Sequence, residues 1–189
     1  RVDAVIWTHD HADHCHSIDD LRQLYLINKV PITGYASAVT RTALQARFGY
    51  VFRGNAGYPA TASISDLKPT QSIGTLTVRT VEQPHGPIMS TGLRFEAGDT
   101  SVVYAIDFSG ITEEMVALYR SVDVLVADCL REASHPTHAH LAMTLDLFEK
   151  TGAKSGFLTH MDKSMDYAVL SERLPPHIRP AYDGMTMEL

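Results

Sequence analysis

The 189-residue sequence has two cysteines, one tryptophan and no long apolar run. Two thiols, Cys15 and Cys129, cannot build a disulfide framework. A packed core must hold the fold, and a reducing cytoplasm is the expected compartment. No stretch approaches the roughly 20 apolar residues a bilayer-spanning helix needs, so no membrane partner is expected. Excess positive charge is also missing. Sixteen Lys and Arg stand against 22 Asp and Glu, net −6, which weakens any case for a nucleic-acid partner gripped through its phosphates. Internal repeats and low-complexity segments are absent. There is no initiator Met and no cleavable signal. Val2, Ala4, Val5, Ile6 and Trp7 instead read as a strand already under way, so the chain is expected to be part of something longer.

What remains is an ordinary apolar fraction, 44%, in a chain long enough to bury a core as a single domain, residues 1–189. Ser17, with Asp20 three residues on, resembles a helix cap leading into LRQLYLI. A short strand is expected over 31–34, a helix over 36–48, and a long Gly-, Ala- and Ser-rich loop over 49–66. TLTVRTVEQ, STGLRFEAG and TSVVYAIDF read as strands, the last two joined at Ala97-Gly98-Asp99. Helices over 113–120, 141–151 and 164–173 alternate with the strands VDVLVAD and SGFLT, and Asp183-Gly184 marks a turn between two closing strands. The mixture is α/β (α+β): sheets covered by helices.

The one unusual count is ten histidines, four of them in THDHADHCH, Thr8 to His16. A strand delivers Thr8 to a loop carrying H-x-H-x-D-H, and a helix begins just after it. Imidazole nitrogen and carboxylate oxygen are ligands for divalent Zn, Mn or Fe. In extended backbone His9 and His11 project to one side. Asp13 and His14 follow where the chain turns. One loop can therefore offer two ligands to each of two adjacent ions. The other readings, a solvated polar loop or a chance metal patch, do not account for this spacing.

THDHADH resembles the signature of the metallo-β-lactamase fold hydrolases, and further residues follow in that family's order. Pro84-His85-Gly86 is similar to its third histidine, Asp107 in VVYAID to its bridging carboxylate, and His160 in FLTHM to its last ligand. The resemblance implies an αββα sandwich, here lacking its N-terminal strands, and two divalent ions, Zn or Mn. It implies that His9, His11 and His85 hold one ion, that Asp13, His14 and His160 hold the other, and that Asp107 bridges them.

Asp107 stands where the antibiotic-degrading members have cysteine. HPTHAHL places His138, 22 residues before His160, where the phosphodiesterase branch carries a catalytic histidine that is not a ligand. VDVLVADCLREASHPTHAHL and AYDGMTMEL look most similar to the phosphoribosyl cyclic phosphate phosphodiesterases, beside the tRNA 3′-processing nucleases. The expected activity is hydrolysis of a small, cyclic or nucleotide-like phosphodiester by a metal-bridging hydroxide. His138 is the candidate acid for the leaving group and His140 the fallback. The 49–66 loop holds one basic residue, too few for a tRNA-gripping arm, and Arg53, Asn55 and Tyr58 are its candidates to touch a small substrate. His16, His135 and His177 are assigned to the surface. Asp10 faces away or supports a ligand histidine, and both cysteines are expected to be small buried thiols. Lactonase, thioesterase, tRNA-processing nuclease and mono-iron sulfur dioxygenase activities remain alternatives on the same fold. The oligomeric state stays open, a homodimer included.

Overall fold

Parallel strands need crossovers, and the first 75 residues alternate strand and helix accordingly. The computed structural model describes residues 2–189, which divide between Thr75 and Leu76 into two compact units. In the N-terminal unit, β1 (Ala4–Trp7), β2 (Ile32–Ala36) and β3 (Ala62–Asp66) form a parallel sheet in that order. The crossovers carry α1 (Ala12–Cys15), a 3₁₀ turn (His16–Asp20), α2 (Leu21–Asn28), α3 (Ala38–Arg47) and α4 (Gly49–Arg53); β4 (Thr70–Ile73) follows the sheet. Trp7, Ile18, Ile32, Leu44, Val51 and Ala62 are buried together as the core of this unit.

Several local expectations change. Ser17 lies inside the 3₁₀ turn and caps nothing, because helix already begins at Ala12. The cap that forms is Ser37, whose hydroxyl accepts the Thr40 N–H at 3.3 Å, so α3 starts at Ala38 and Ala36 stays in β2. The 49–66 loop shrinks at both ends. Gly49–Arg53 continues as helix, and Ala62–Asp66 pairs with β2 despite its small residues, since Ala62 packs into the core.

The C-terminal unit contains β5 (Leu76–His85), β6 (Ile88–Ala97), β7 (Thr100–Ala105), α5 (Glu113–Tyr119) and β8 (Val124–Asp128). After these come α6 (Leu141–Thr151), β9 (Ser155–Thr159), α7 (Tyr167–Arg173) and β10 (Ile178–Pro180). Its strands run in the order β10-β9-β8-β7-β6-β5. β5, β6 and β7 are antiparallel, joined by tight turns at Gly86-Pro87 and Gly98-Asp99; β7 to β10 are parallel. Val103, Phe108, Met115, Leu125, Leu147 and Leu158 are fully buried around α5 and α6. Asp183-Gly184 makes its turn, but no strand follows it among the described residues.

The register matters for chemistry. Ala105 pairs with Ala127, Ala127 with Leu158, and Asp128 with Thr159. Asp107, Asp128 and His160 therefore leave the sheet side by side at the carboxyl ends of three parallel strands, the edge where α/β sheets place ligands.

Candidate metal centre

In the N-terminal unit, β1 ends at Trp7 and the chain passes Thr8, whose hydroxyl shares a hydrogen bond with His9 Nδ1 at 3.1 Å. The His9 ring centroid lies 4.7 Å from that of His11 and 4.5 Å from that of His14, and Asp13 Oδ2 is 3.2 Å from His14 Nε2. The expected ligands of this loop thus cluster within one turn, with His9 buried and His11 exposed. Asp10 does not point idly outward. Arg47, from the end of α3, donates to the Asp10 carbonyl and to its Oδ2, and its other nitrogen donates to His16 Nε2 at 3.0 Å. Cys15 is buried, its thiol directed at the same Asp10 carbonyl at 3.3 Å.

Of the substrate-loop candidates, Asn55 and Tyr58 line a cavity of about 310 Å³ within this unit, together with Asp19, Arg22, Tyr25 and Tyr50. Paired backbone hydrogen bonds between Asn55 and Tyr58 close the turn that presents them, and Arg22 lies over the Tyr58 ring at 5.3 Å. Arg53 is not among the cavity residues; its guanidinium folds back to the Gln45 carbonyl at 3.4 Å.

The C-terminal unit assembles a group of its own. Ligand-type atoms of Asp107, Asp128, His138 and His160 lie within 4.8 Å of one another. Asp107 and His160 offer an oxygen and a nitrogen of the kind a divalent ion of the Zn or Mn type accepts, while Asp128 and His138 pair with each other. His85 Nε2 is 3.2 Å from Asp107 Oδ2, and its Nδ1–H donates to the Thr137 carbonyl at 2.6 Å, which fixes the tautomer and leaves the Nε2 lone pair for coordination. His160 Nε2 is 3.6 Å from Asp107 Oδ1, and its Nδ1 is 3.5 Å from Asp128 Oδ1.

Backbone geometry at these positions is unusual. Asp107 has φ 54° and His160 φ 59°, left-handed conformations at residues with a Cβ, each costing about 1–3 kcal/mol. Gly86, next to His85, is also left-handed at φ 57°, and a Cβ there would sit 2.5 Å from Thr137 Cγ2. Glycine is what lets the 135–140 segment close over His85.

His138 comes with a partner that sequence reading missed. Its Nδ1 donates to Asp128 Oδ2 at 3.2 Å, and Asp128 itself has no exposed surface. Asp128 ends the buried strand VLVAD as Asp107 follows VVYA, so the signal was available by analogy. His140, two residues after His138, occupies the N-cap position of α6 without a capping bond from its side chain. His135, assigned to the surface, is half-buried: its ring centroid is 5.2 Å from that of His138, and its Nδ1 accepts the Thr137 N–H at 3.3 Å. His16 and His177 are exposed as expected. Cys129 is buried, and that burial pushes its thiol up to about 12, which makes it an inert core group. No helix among the described residues is long and apolar enough to cross a membrane.

Comparison with known proteins agrees with this geometry. A diphosphatase of the PhnP family has a solved structure 29% identical to this chain, superposing with a TM-score of 0.86 over 97% of this chain and 69% of its own. The short form of human tRNase Z superposes with a TM-score of 0.74 over 100% of this chain and 77% of its own, at 18% identity, a likeness of fold alone. An octanoyltransferase of Porphyromonas gingivalis is 29% identical over 190 residues, 97% of this chain. This chain spans only 37% of that relative's length. The profile of the beta-lactamase superfamily domain matches residues 1–161. The chain belongs to that superfamily and has the metallo-β-lactamase fold.

Proposed function

We propose that this chain hydrolyses a small phosphodiester with the help of two divalent ions, Zn or Mn. The observation that carries this reading is the Asp128–His138 pair beside Asp107 and His160. A histidine held by a buried carboxylate suits a reaction whose leaving group departs as an alkoxide and needs a proton. By the order of ligands in the family, His9, His11 and His85 serve one ion, Asp13, His14 and His160 the other, and Asp107 both.

Bound ions would supply a water of lowered pKa and neutralise the phosphoryl oxygens. The chain's own residues do the rest. Asp128 accepts from His138 Nδ1 and sets the ring, so that Nε2 can hold a proton for the leaving oxygen. Thr137 orients His85 through its carbonyl, and Arg47 holds the backbone of the histidine-rich loop at Asp10. We assign the organic part of the substrate to the cavity of Asn55, Tyr58 and Tyr50. Its wall residues Asp19 and Arg22 lie in the 3₁₀ turn and in α2, the two elements that come after the α1 helix of His14. Arg53, folded onto the Gln45 carbonyl, does not line that cavity. His140 is the second choice of acid. Net charge −6 favours a small substrate over a transfer RNA.

A panel of phosphodiesters, lactones and thioesters, assayed on metal-replete protein with metal content measured alongside, tests the proposal. Turnover confined to phosphodiesters supports it. Metal-loaded protein that hydrolyses only lactones or thioesters overturns it, and bound iron without hydrolysis points to oxidation.

A further inference from the structure

In the interior of the C-terminal unit a chain of hydrogen bonds ends on the backbone of Asp107. Gln83, Ser90 and Tyr119 are 0%, 1% and 0% exposed. The Tyr119 hydroxyl donates to Gln83 Oε1 at 2.7 Å. Gln83 Nε2 spends its two hydrogens on Ser90 Oγ at 2.9 Å and the Ile106 carbonyl at 2.8 Å. Ser90 Oγ then donates to the Asp107 carbonyl at 2.7 Å. Burial raises Tyr119 above the ordinary phenol range, so its hydroxyl stays protonated. The Ile106 carbonyl can only accept, which puts the Gln83 amide nitrogen on its side and leaves Oε1 to accept from Tyr119.

The two carbonyls at the end belong to the two peptide planes that flank the Asp107 Cα. Holding both planes sets φ and ψ at Asp107 together, and hence the direction of its Cα–Cβ bond. That is the residue with φ 54°, a conformation a non-glycine residue keeps only when its surroundings impose it. The sequence makes room for the network as well. Gly92 pairs with Val81 in the β5–β6 ladder, and a Cβ on Gly92 would lie 1.7 Å from the Tyr119 hydroxyl and 2.6 Å from Gln83 Oε1.

We propose that Gln83, Ser90 and Tyr119 are positioning residues, which lock the Asp107 backbone in its left-handed conformation and so aim its carboxylate at the metal centre. The proposal rests on the reading of Asp107 as a metal ligand. It says that these three side chains set metal affinity without touching metal or substrate.

The test is competition for Zn or Mn against a chelating dye, read beside the melting temperature of the metal-free protein. Ser90→Ala and Gln83→Leu are each expected to weaken binding by about 10–100-fold, the range typical of groups that orient metal ligands. The double variant should lose less than the sum of the two, because either change already breaks the chain. Thr151→Val is the control. It removes a buried hydroxyl that donates to the Leu147 carbonyl in α6, and should lower the melting temperature without altering affinity. Tyr119→Phe removes one oxygen at the far end; should the other variants not fold, its weakened metal binding supports the proposal and its unchanged binding overturns it. Folded Ser90→Ala and Gln83→Leu that bind metal as wild type does, with only a lowered melting temperature, also overturn it. Wild-type protein that binds no metal overturns the functional reading instead.

Discussion

Asp128 and His138, ten residues apart, meet at the end of β8: one oxygen of the buried carboxylate accepts both the His138 Nδ1–H at 3.2 Å and the Ala139 N–H at 3.3 Å. The Thr144 hydroxyl donates to the Asp128 carbonyl at 2.6 Å and ties the same residue to α6. The imidazole thus has one nitrogen fixed by the sheet and the other left for chemistry.

His138→Ala should therefore keep the fold and the bound metal while losing about two to four orders of magnitude in turnover of an ordinary alkyl phosphodiester. The loss should shrink when the leaving group is a nitrophenolate, which departs without a proton. Rates on both substrates, with metal content checked in the same preparation, decide the point. Equal losses would mean that His138 only binds phosphate, and His140 would become the acid to examine.

Asp128→Asn keeps the shape but can turn an N–H toward His138 Nδ1, so the ring loses the acceptor that sets its tautomer. The expected effect is a fall in kcat of the same kind as for His138→Ala, again smaller with a nitrophenolate. Combining the two substitutions should add little to either alone, since both remove one function. Fully additive losses would show that Asp128 acts at the centre independently of His138.

The parts that could be read from sequence were those carried by local pattern. THDHADH announces a ligand loop because it packs chemically specialised residues into one turn, and Asp107 and His160 stand out at the ends of apolar strands. Helix α6 was visible from its apolar spacing and from Gly152, which takes φ 63° as its cap. Asp128 went unread because an aspartate after VLVA looks like any strand end until the register sets it beside Asp107. His135 looked like a surface residue because nothing local says that the 135–140 segment closes over His85. Ser17 misled for the opposite reason: its capping pattern is real, but α1 had already begun. Gln83 and Ser90 could not be recognised, since a polar side chain alternating along a strand usually faces water and only the tertiary fold buries these two.

Metal removal should be felt by the whole structure. Within the C-terminal unit the proposed ligands His85, Asp107 and His160 stand at the ends of β5, β7 and β9, so bound ions tie together strands distant in sequence and bind the native state preferentially. Protein not exposed to chelator should carry about two divalent ions per chain, given seven ligand-type side chains. Chelation should abolish activity and lower the melting temperature, and re-addition of Zn or Mn should restore both. A melting curve unchanged after complete removal would deny the ions any structural part.

Acid should act through a different carboxylate, Asp123, which pins the start of β7 to β8. Its Oδ1 accepts from Lys154 Nζ at 2.7 Å, while its Oδ2 accepts the Ser101 N–H at 2.7 Å and the Ser101 hydroxyl at 3.0 Å. The Lys154 hydrogen bond first, and then the two from Ser101, lower the Asp123 carboxyl from an ordinary 3.8 to about 2. Because the folded value is the depressed one, the stabilisation is fully present above pH 4 and disappears as pH falls from there towards 2. Asp123→Asn removes that dependence. With both proteins metal-free, so that the ligands protonate alike in each, wild type should be the more stable at pH 7. The two unfolding free energies should then converge between pH 4 and pH 2. Raising the salt should narrow the gap at pH 7 only in part, since Lys154 is exposed and screened while the Ser101 bonds are not. Parallel curves across that range would place the acid sensitivity elsewhere.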